Sequence, residues 1–291
     1  MAGTENNMQL LLWGKTNPYK ALLCHMTDAG CCAKAYLESS ANTSILHYLA
    51  DQWNISHNEA VSFAAYLVSL HDIGKATPQF QMQDEEQLSR LKETEVRSIL
   101  PDSRLNFVRH EFLSQRIAKR IWKERGEDRR LYDAYSCILS LHHQKMDESE
   151  KGRAKVQEEW KSIQGDLEES VSSLFHFSGH LPEPKCLDSV CILLTGIAIL
   201  CDWVASSGPF DSLPYMTDGY YEDSLETAKA AMKHYGLTED HRIPGIECFQ
   251  AMWPAISEPR DIQKKTEILD ANAPLTIIEA PMGEGKTEAA I

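Results

Sequence analysis

From about residue 20 to about residue 240, apolar residues recur at intervals of three and four, with few alternating β-branched runs and no repeat of fixed period. That pattern predicts an all-α domain. Val61, Ala64, Ala65 and Val68 fall on one face of a helix that leads to His71 and Asp72 and stops at Gly74, a residue suited to a left-handed C-cap. His110 precedes Leu113, Ile117 and Ile121 at helical spacing, which places it on the inward stripe of a second helix. A third helix runs from about Leu131 through Tyr135, Ile138 and Leu139 to His142 and His143, after which Gln144, Lys145, Asp147, Glu148 and Ser149 read as surface. Neighbouring helical residues point about 100° apart, so both imidazoles reach one centre only where the helix is ending or where they bind from different sides. A fourth helix, from Leu187 to Ala205, is apolar nearly all round and carries Asp202, a carboxylate that is costly to bury without a cation or a tight hydrogen-bond partner. Acidic, polar stretches near residues 83–95 and 147–169 read as solvated faces or mobile loops.

The 291 residues allow one large domain or two ordinary ones, with ordinary globular content of 43% hydrophobic and 25% charged residues. The eight cysteines form no CxxC pair and no regular framework, and no signal segment opens the chain, so a cytoplasmic location is expected. The longest apolar stretch, residues 190–201, falls short of the about 18–20 needed to cross a bilayer, so a buried helix is expected and no membrane partner. A net charge of −14 argues against a generic nucleic-acid surface, which shows itself as clustered Lys and Arg. Two divalent cations would reverse the local sign at a phosphate site without changing that global balance.

After about residue 245 the character changes. Pro254, Pro259 and Pro274 punctuate the chain, residues 275–279 read as a short strand, and Ala280-Pro281-Met282-Gly283-Glu284-Gly285-Lys286-Thr287 follows. This is a phosphate loop of the form AxxxxGKT: backbone N–H groups cradle phosphates, the lysine pairs with the β and γ phosphates, and the threonine hydroxyl meets magnesium. The expected organisation is residues 1–245 as a metal-site domain and 246–291 as a linker with the truncated start of a RecA-like α/β domain. No magnesium-binding acidic motif and no second lobe follow within the 291 residues, so no ATPase activity is expected of them.

The candidate chemistry centres on Leu70-His71-Asp72-Ile73-Gly74-Lys75, with His25 upstream and His110, His142, His143 and Asp202 downstream. A carboxylate can bridge two cations while imidazoles fill the remaining positions, an inventory that suits a dinuclear phosphoesterase. The other histidines match no motif.

An HD-type doublet followed by a helicase motif I resembles the N-terminal part of the helicase-nuclease of type I CRISPR systems. The resemblance rests on Trp13-Gly14-Lys15, His25-Met26-Thr27-Asp28, the run from His71 through Ala76-Thr77-Pro78-Gln79-Phe80-Gln81, His110, His142-His143, Asp202-Trp203-Val204-Ala205-Ser206, Gln263 as a Q-motif glutamine, and the phosphate loop. It implies one metal held by His25, His71, Asp72 and Asp202 and another by Asp72, His110, His142 and His143, with Asp72 bridging. It also implies Lys75 offsetting charge on the phosphate oxygens, and ATP held by Gln263, Gly283, Gly285, Lys286 and Thr287 in a full-length helicase with magnesium. Trp203 and Ser206 would position the Asp202 helix. Imidazole-rich coordination favours Mn, Fe, Co or Ni over Mg. The implied activity is cleavage of single-stranded DNA, and the implied partners are a guide-RNA surveillance complex and the chain's own helicase lobes. An HD phosphohydrolase acting on nucleotides or cyclic phosphodiesters is the alternative enzyme. A catalytically inert recruitment module is the alternative outside enzymes.

Overall fold

The computed structural model describes residues 8–103, 105–106, 108–143, 157–239, 249–266, 269 and 277–290. The chain divides into two compact units, Met1–Glu239 and Asp240–Ile291. The expected boundary near residue 245 lies outside the described residues, as does the surface segment from Gln144 to Ser149.

The first unit opens with an antiparallel hairpin of β1 (Trp13–Thr16) and β2 (Tyr19–Ala21), which runs directly into α1 (Leu22–Leu37). Almost every residue of α1 is buried, because α3, α9 and α10 pack around it. The helices that follow are α2 (Thr43–Trp53), α3 (His57–Ser69), α4 (Pro78–Gln81) and α5 (Glu85–Lys92). After them come α6 (His110–Glu124), α7 (Arg129–Leu141), α8 (Glu158–Leu174), α9 (Leu187–Ala205) and α10 (Tyr220–His234). Local signals fix several starts: a capping box joins Ser56 and Glu59 at α3, and the Asp128 carboxylate accepts from Arg130 and Leu131 N–H at α7. The core between α3, α6 and α8 holds Phe63, Tyr66, Trp122 and Trp160. Its polar atoms are satisfied internally, since Trp122 Nε1 donates to Tyr66 Oη at 2.8 Å and Tyr66 donates to Glu168 at 2.5 Å.

The expectations at Gly74 and at α9 need correction. Gly74 is no left-handed cap: α3 ends at Ser69, the chain continues as a 3-10 turn over Leu70–Lys75, and Gly74 keeps negative φ. Its lack of a side chain serves close approach instead, because a Cβ there would overlap the His110 carbonyl oxygen and lie 2.5 Å from Ser114 N at the start of α6. Of the acidic stretches, residues 85–92 and 158–169 lie in helices with a solvated face, the first of the two expected forms, while residues 147–156 lie outside the described residues. In α8, Trp160, Ile163, Leu167 and Val171 form a buried stripe beneath the acidic residues, and in α5 Leu88 and Leu91 do the same. Helix α9 is not buried all round: Val190, Leu194, Ile197 and Cys201 face the core, whereas Ile192 and Trp203 are 74% and 63% exposed. By length and composition alone this helix could cross a membrane.

The second unit contains α11 (Phe249–Met252), α12 (Asp261–Thr266) and α13 (Lys286–Ala290). Of the expected strand at 275–279, residues 275–276 lie outside the described residues. Ile277, Ile278 and Glu279 have no regular secondary structure, and no strand pairs with them among the described residues.

Candidate metal centre

Each site residue sits where its helix ends or turns. The 3-10 turn after α3 presents His71 and Asp72, α1 presents His25, His110 is the first residue of α6, His142 and His143 follow the last residue of α7, and Asp202 lies in the final turn of α9. Termination of α7 at Leu141 is what lets two consecutive imidazoles turn toward one place: their ring centroids are 4.2 Å apart. The seven expected ligands therefore converge in two groups. His25, His71 and Asp202 have ligand atoms mutually within 4.8 Å, and so do His110, His142 and His143.

Asp72 stands between the groups and offers one oxygen to each. Its Oδ2 lies 3.1 Å from His25 Nε2 and 3.3 Å from His71 Nε2, while Oδ1 lies 3.1 Å from His110 Nε2 and 3.7 Å from His142 Nε2. Asp202 Oδ1 completes the first group at 3.3 Å from His25 and 3.4 Å from His71. His143 Nε2 completes the second at 3.1 Å from His110 Nε2.

The surroundings fit cations. His71 Nδ1 is 3.0 Å from the Val68 carbonyl and His142 Nδ1 is 2.7 Å from the Leu139 carbonyl. A carbonyl can only accept, so each Nδ1 carries a proton and Nε2 is the nitrogen through which a metal would be bound, after loss of its own proton where it has one. His71 Nε2, His142 Nε2 and Asp72 Oδ1 are buried without a hydrogen-bond partner, a costly state for polar atoms that divalent ions would relieve. The two groups differ electrostatically. Burial opposes charge on His71, but Asp72 and Asp202 raise its pKa to about 10. Burial and the neighbouring His71 push His142 down to about 3. Burial also works against ionised Asp72, yet Lys75, His71 and His110 hold its carboxyl well below the usual range.

Lys75 reaches the centre, with Nζ 2.6 Å from Asp72 Oδ2 and 3.0 Å from the Gly14 carbonyl. Sequence reasoning left out what holds that lysine in place. Gln81 clamps the hairpin to the HD turn: its Oε1 accepts from Trp13 N, and its Nε2 donates to the Trp13 and Lys75 carbonyls. Ser114 Oγ accepts from Gly74 N at 2.8 Å and pins α6 to the same turn. Ser206 Oγ donates to Asp202 Oδ1 at 3.3 Å, whereas Trp203 is largely exposed.

In the second unit Gly283 and Gly285 adopt φ of +84° and +75°, conformations that favour glycine. Gln263 Nε2 donates to the Gly285 carbonyl at 3.2 Å, which brings that glutamine against the phosphate loop. Lys286 Nζ turns back onto the Ala280 and Pro281 carbonyls, at 2.5 and 3.0 Å, and Thr287 lies in α13.

An all-α scaffold whose helix ends deliver two histidine-rich groups astride one aspartate defines an HD-type domain. The chain belongs to the Cas3 HD domain family, whose pattern it matches over residues 13–210. The CRISPR-associated endonuclease/helicase Cas3 of Thermus thermophilus is 31% identical over 97% of this chain and 32% of that protein. The chain spans about a third of the length of the curated relatives it matches most fully. A crystal structure of a CRISPR-associated protein superposes with a TM-score of 0.71 at 23% identity, covering 97% of this chain and 33% of that one. The Thermus thermophilus cas3 HD domain, crystallised in the presence of Ni2+, gives a TM-score of 0.59 at 26% identity over 78% of this chain and 90% of that domain.

Proposed function

We propose that the first unit is a nuclease that hydrolyses phosphodiester bonds of single-stranded DNA with two divalent transition metals. In this reading a longer chain's helicase lobes feed it, and a CRISPR surveillance complex carrying guide RNA recruits it, in the cytoplasm. The single observation that carries the reading is the two-sided placement of Asp72, one oxygen toward each histidine group. The family, and the crystallisation of a structural neighbour in the presence of Ni2+, point the same way. A complete set of ligands speaks against an inert module.

Two bound cations would supply Lewis acidity at the non-bridging phosphate oxygens and an activated water for in-line attack. The protein's own part is orientation. His25, His71 and Asp202 would hold one ion and His110, His142 and His143 the other, and Asp72 would fix the separation. The Val68 and Leu139 carbonyls keep two of the imidazoles in the coordinating tautomer. Lys75, held by Gly14 and Asp72, stands where it can offset negative charge that grows on the phosphate. Five imidazoles among the ligands favour Mn, Fe, Co or Ni over Mg.

The test is degradation of a labelled single-stranded oligonucleotide by metal-stripped protein resupplied with Mn, Co, Ni or Mg. Cleavage with the first three, poor cleavage with Mg and none in chelator is expected. Full activity in chelator, or turnover of mononucleotides without cleavage of DNA, would overturn the proposal.

A further inference from the structure

We propose that Lys15 is a phosphate-binding residue of the substrate path, gripping a backbone phosphate that flanks the scissile one. This deepens the nuclease reading and rests on it for the identity of the ligand. The observation is a division of labour among three lysines around the centre. Lys20 is buried and paired with Asp28 at 2.5 Å, and Lys75 is paired with Asp72 at 2.6 Å. Lys15 has no carboxylate in ion-pair range among the described residues; Asp211 is its strongest electrostatic neighbour, followed by Lys20, Lys75 and Asp202.

Its position is set by the hairpin. Gly14, the preceding residue, gives its carbonyl to Lys75, and Lys15 Nζ donates to the carbonyl of Ser206 at 3.1 Å. Ser206 is the C-cap of α9 and bonds Asp202. The two consecutive residues Gly14 and Lys15 thus touch the supports of both metal-holding carboxylates. An ammonium has three donors, and Ser206 takes one. Lys15 is only half-buried, so its remaining donors are open to an anion arriving at the rim of the centre. Burial draws its pKa down while Asp211 and Asp202 hold it up. A phosphate oxygen would satisfy both the charge and the empty donors, and in a polynucleotide the phosphates beside the scissile one are the anions at hand.

A lysine at a helix C-terminus also interacts favourably with the helix dipole, so the experiment must separate substrate binding from support of α9. Lys15→Gln and Lys15→Arg variants of the full chain are compared with wild type in two assays. In the first, anisotropy of a fluorescent single-stranded oligothymidylate with chelated protein gives Kd as a function of salt. The expected result for Lys15→Gln is about tenfold weaker binding. The slope of log Kd against log salt should shrink by about 0.7, the contribution of one single-strand phosphate contact, and Lys15→Arg should restore both. In the second, Ni2+-loaded protein cleaves either the oligonucleotide or bis(p-nitrophenyl) phosphate, a diester with no flanking phosphate, and the loss on the oligonucleotide should exceed the loss on the diester by about tenfold. An unchanged salt slope, or equal losses on the two substrates, overturns the assignment. Wild-type protein that binds the oligonucleotide without cutting it would refute the nuclease reading, while the salt slopes would still decide the role of Lys15.

Discussion

Gly74→Ala replaces a hydrogen with a methyl group at the tightest contact of the metal centre. The new Cβ would overlap the His110 carbonyl and lie 2.5 Å from Ser114 N, where ordinary contact begins at 3.4 Å. Both obstacles are backbone atoms of α6, so no side-chain rotation relieves the clash, and the helix start must retreat by about 1 Å. Overpacking of this kind costs about 1–3 kcal/mol. The retreat also breaks the bond from Gly74 N to Ser114 Oγ and strands a buried donor, for about 1–3 kcal/mol more. A total of about 4 kcal/mol should lower Tm by roughly 8–16 °C in a domain of this size. The same retreat carries His110 away from Asp72 Oδ1, from which it now stands 3.1 Å, so the second histidine group should lose its ion first. Thermal unfolding followed by circular dichroism, with Ni2+ stoichiometry measured at a temperature where the variant is folded, reads both effects. A Tm within about 2 °C of wild type with two ions retained would refute this account of Gly74.

Asp72→Ala should lower single-strand cleavage by about a thousandfold, further than alanine at any one of His25, His71, His110, His142 or His143, because one carboxylate serves both groups; an equal or smaller loss at saturating metal would rule out the bridging role. His71 has a folded pKa of about 10 against an unfolded value near 6.5, so its contribution to the metal-free fold is full below about pH 6.5 and is lost as pH rises toward 10. Chelated protein should therefore melt at a lower temperature at about pH 8.5 than at about pH 7, and metal binding at neutral pH should release a proton from this group; a Tm that stays flat or rises would contradict the charge state assigned to His71.

The helices that carry the centre were legible because their signals are local. Apolar spacing placed α3, α6, α7 and α9, and the ligands lie at the ends where those patterns stop. What escaped was long-range. Nothing near Gly74 in the chain announces that α6 crosses it, and the residue's second common use, the left-handed cap, is the one that local reading supplies. Gln81 bonds to Trp13 across 68 residues, a pairing with no periodic signature. At α8 the reading left two forms open, a solvated face or a loop, and the stripe of Trp160, Ile163, Leu167 and Val171 at three and four spacing is what decides for the helix.

Under the proposed nuclease reading a chain of net charge −14 would have to accept a polyanion, and the charges at the centre bear on how it could. Asp72 and Asp202 are held ionised by the histidines and Lys75, so the negative charge nearest the reacting phosphate is already committed to cations. Two divalent ions would leave that spot strongly positive, with Lys75 and Lys15 on the hairpin side adding to the same field. Beyond a Debye length of about 8 Å the acidic surface contributes little at physiological salt, so local and global signs can differ without conflict. The consequence for the proposed nuclease is directional: an acidic exterior would give a nucleic acid little to hold, so the proposed affinity for a single strand would have to come from the metal centre and its rim.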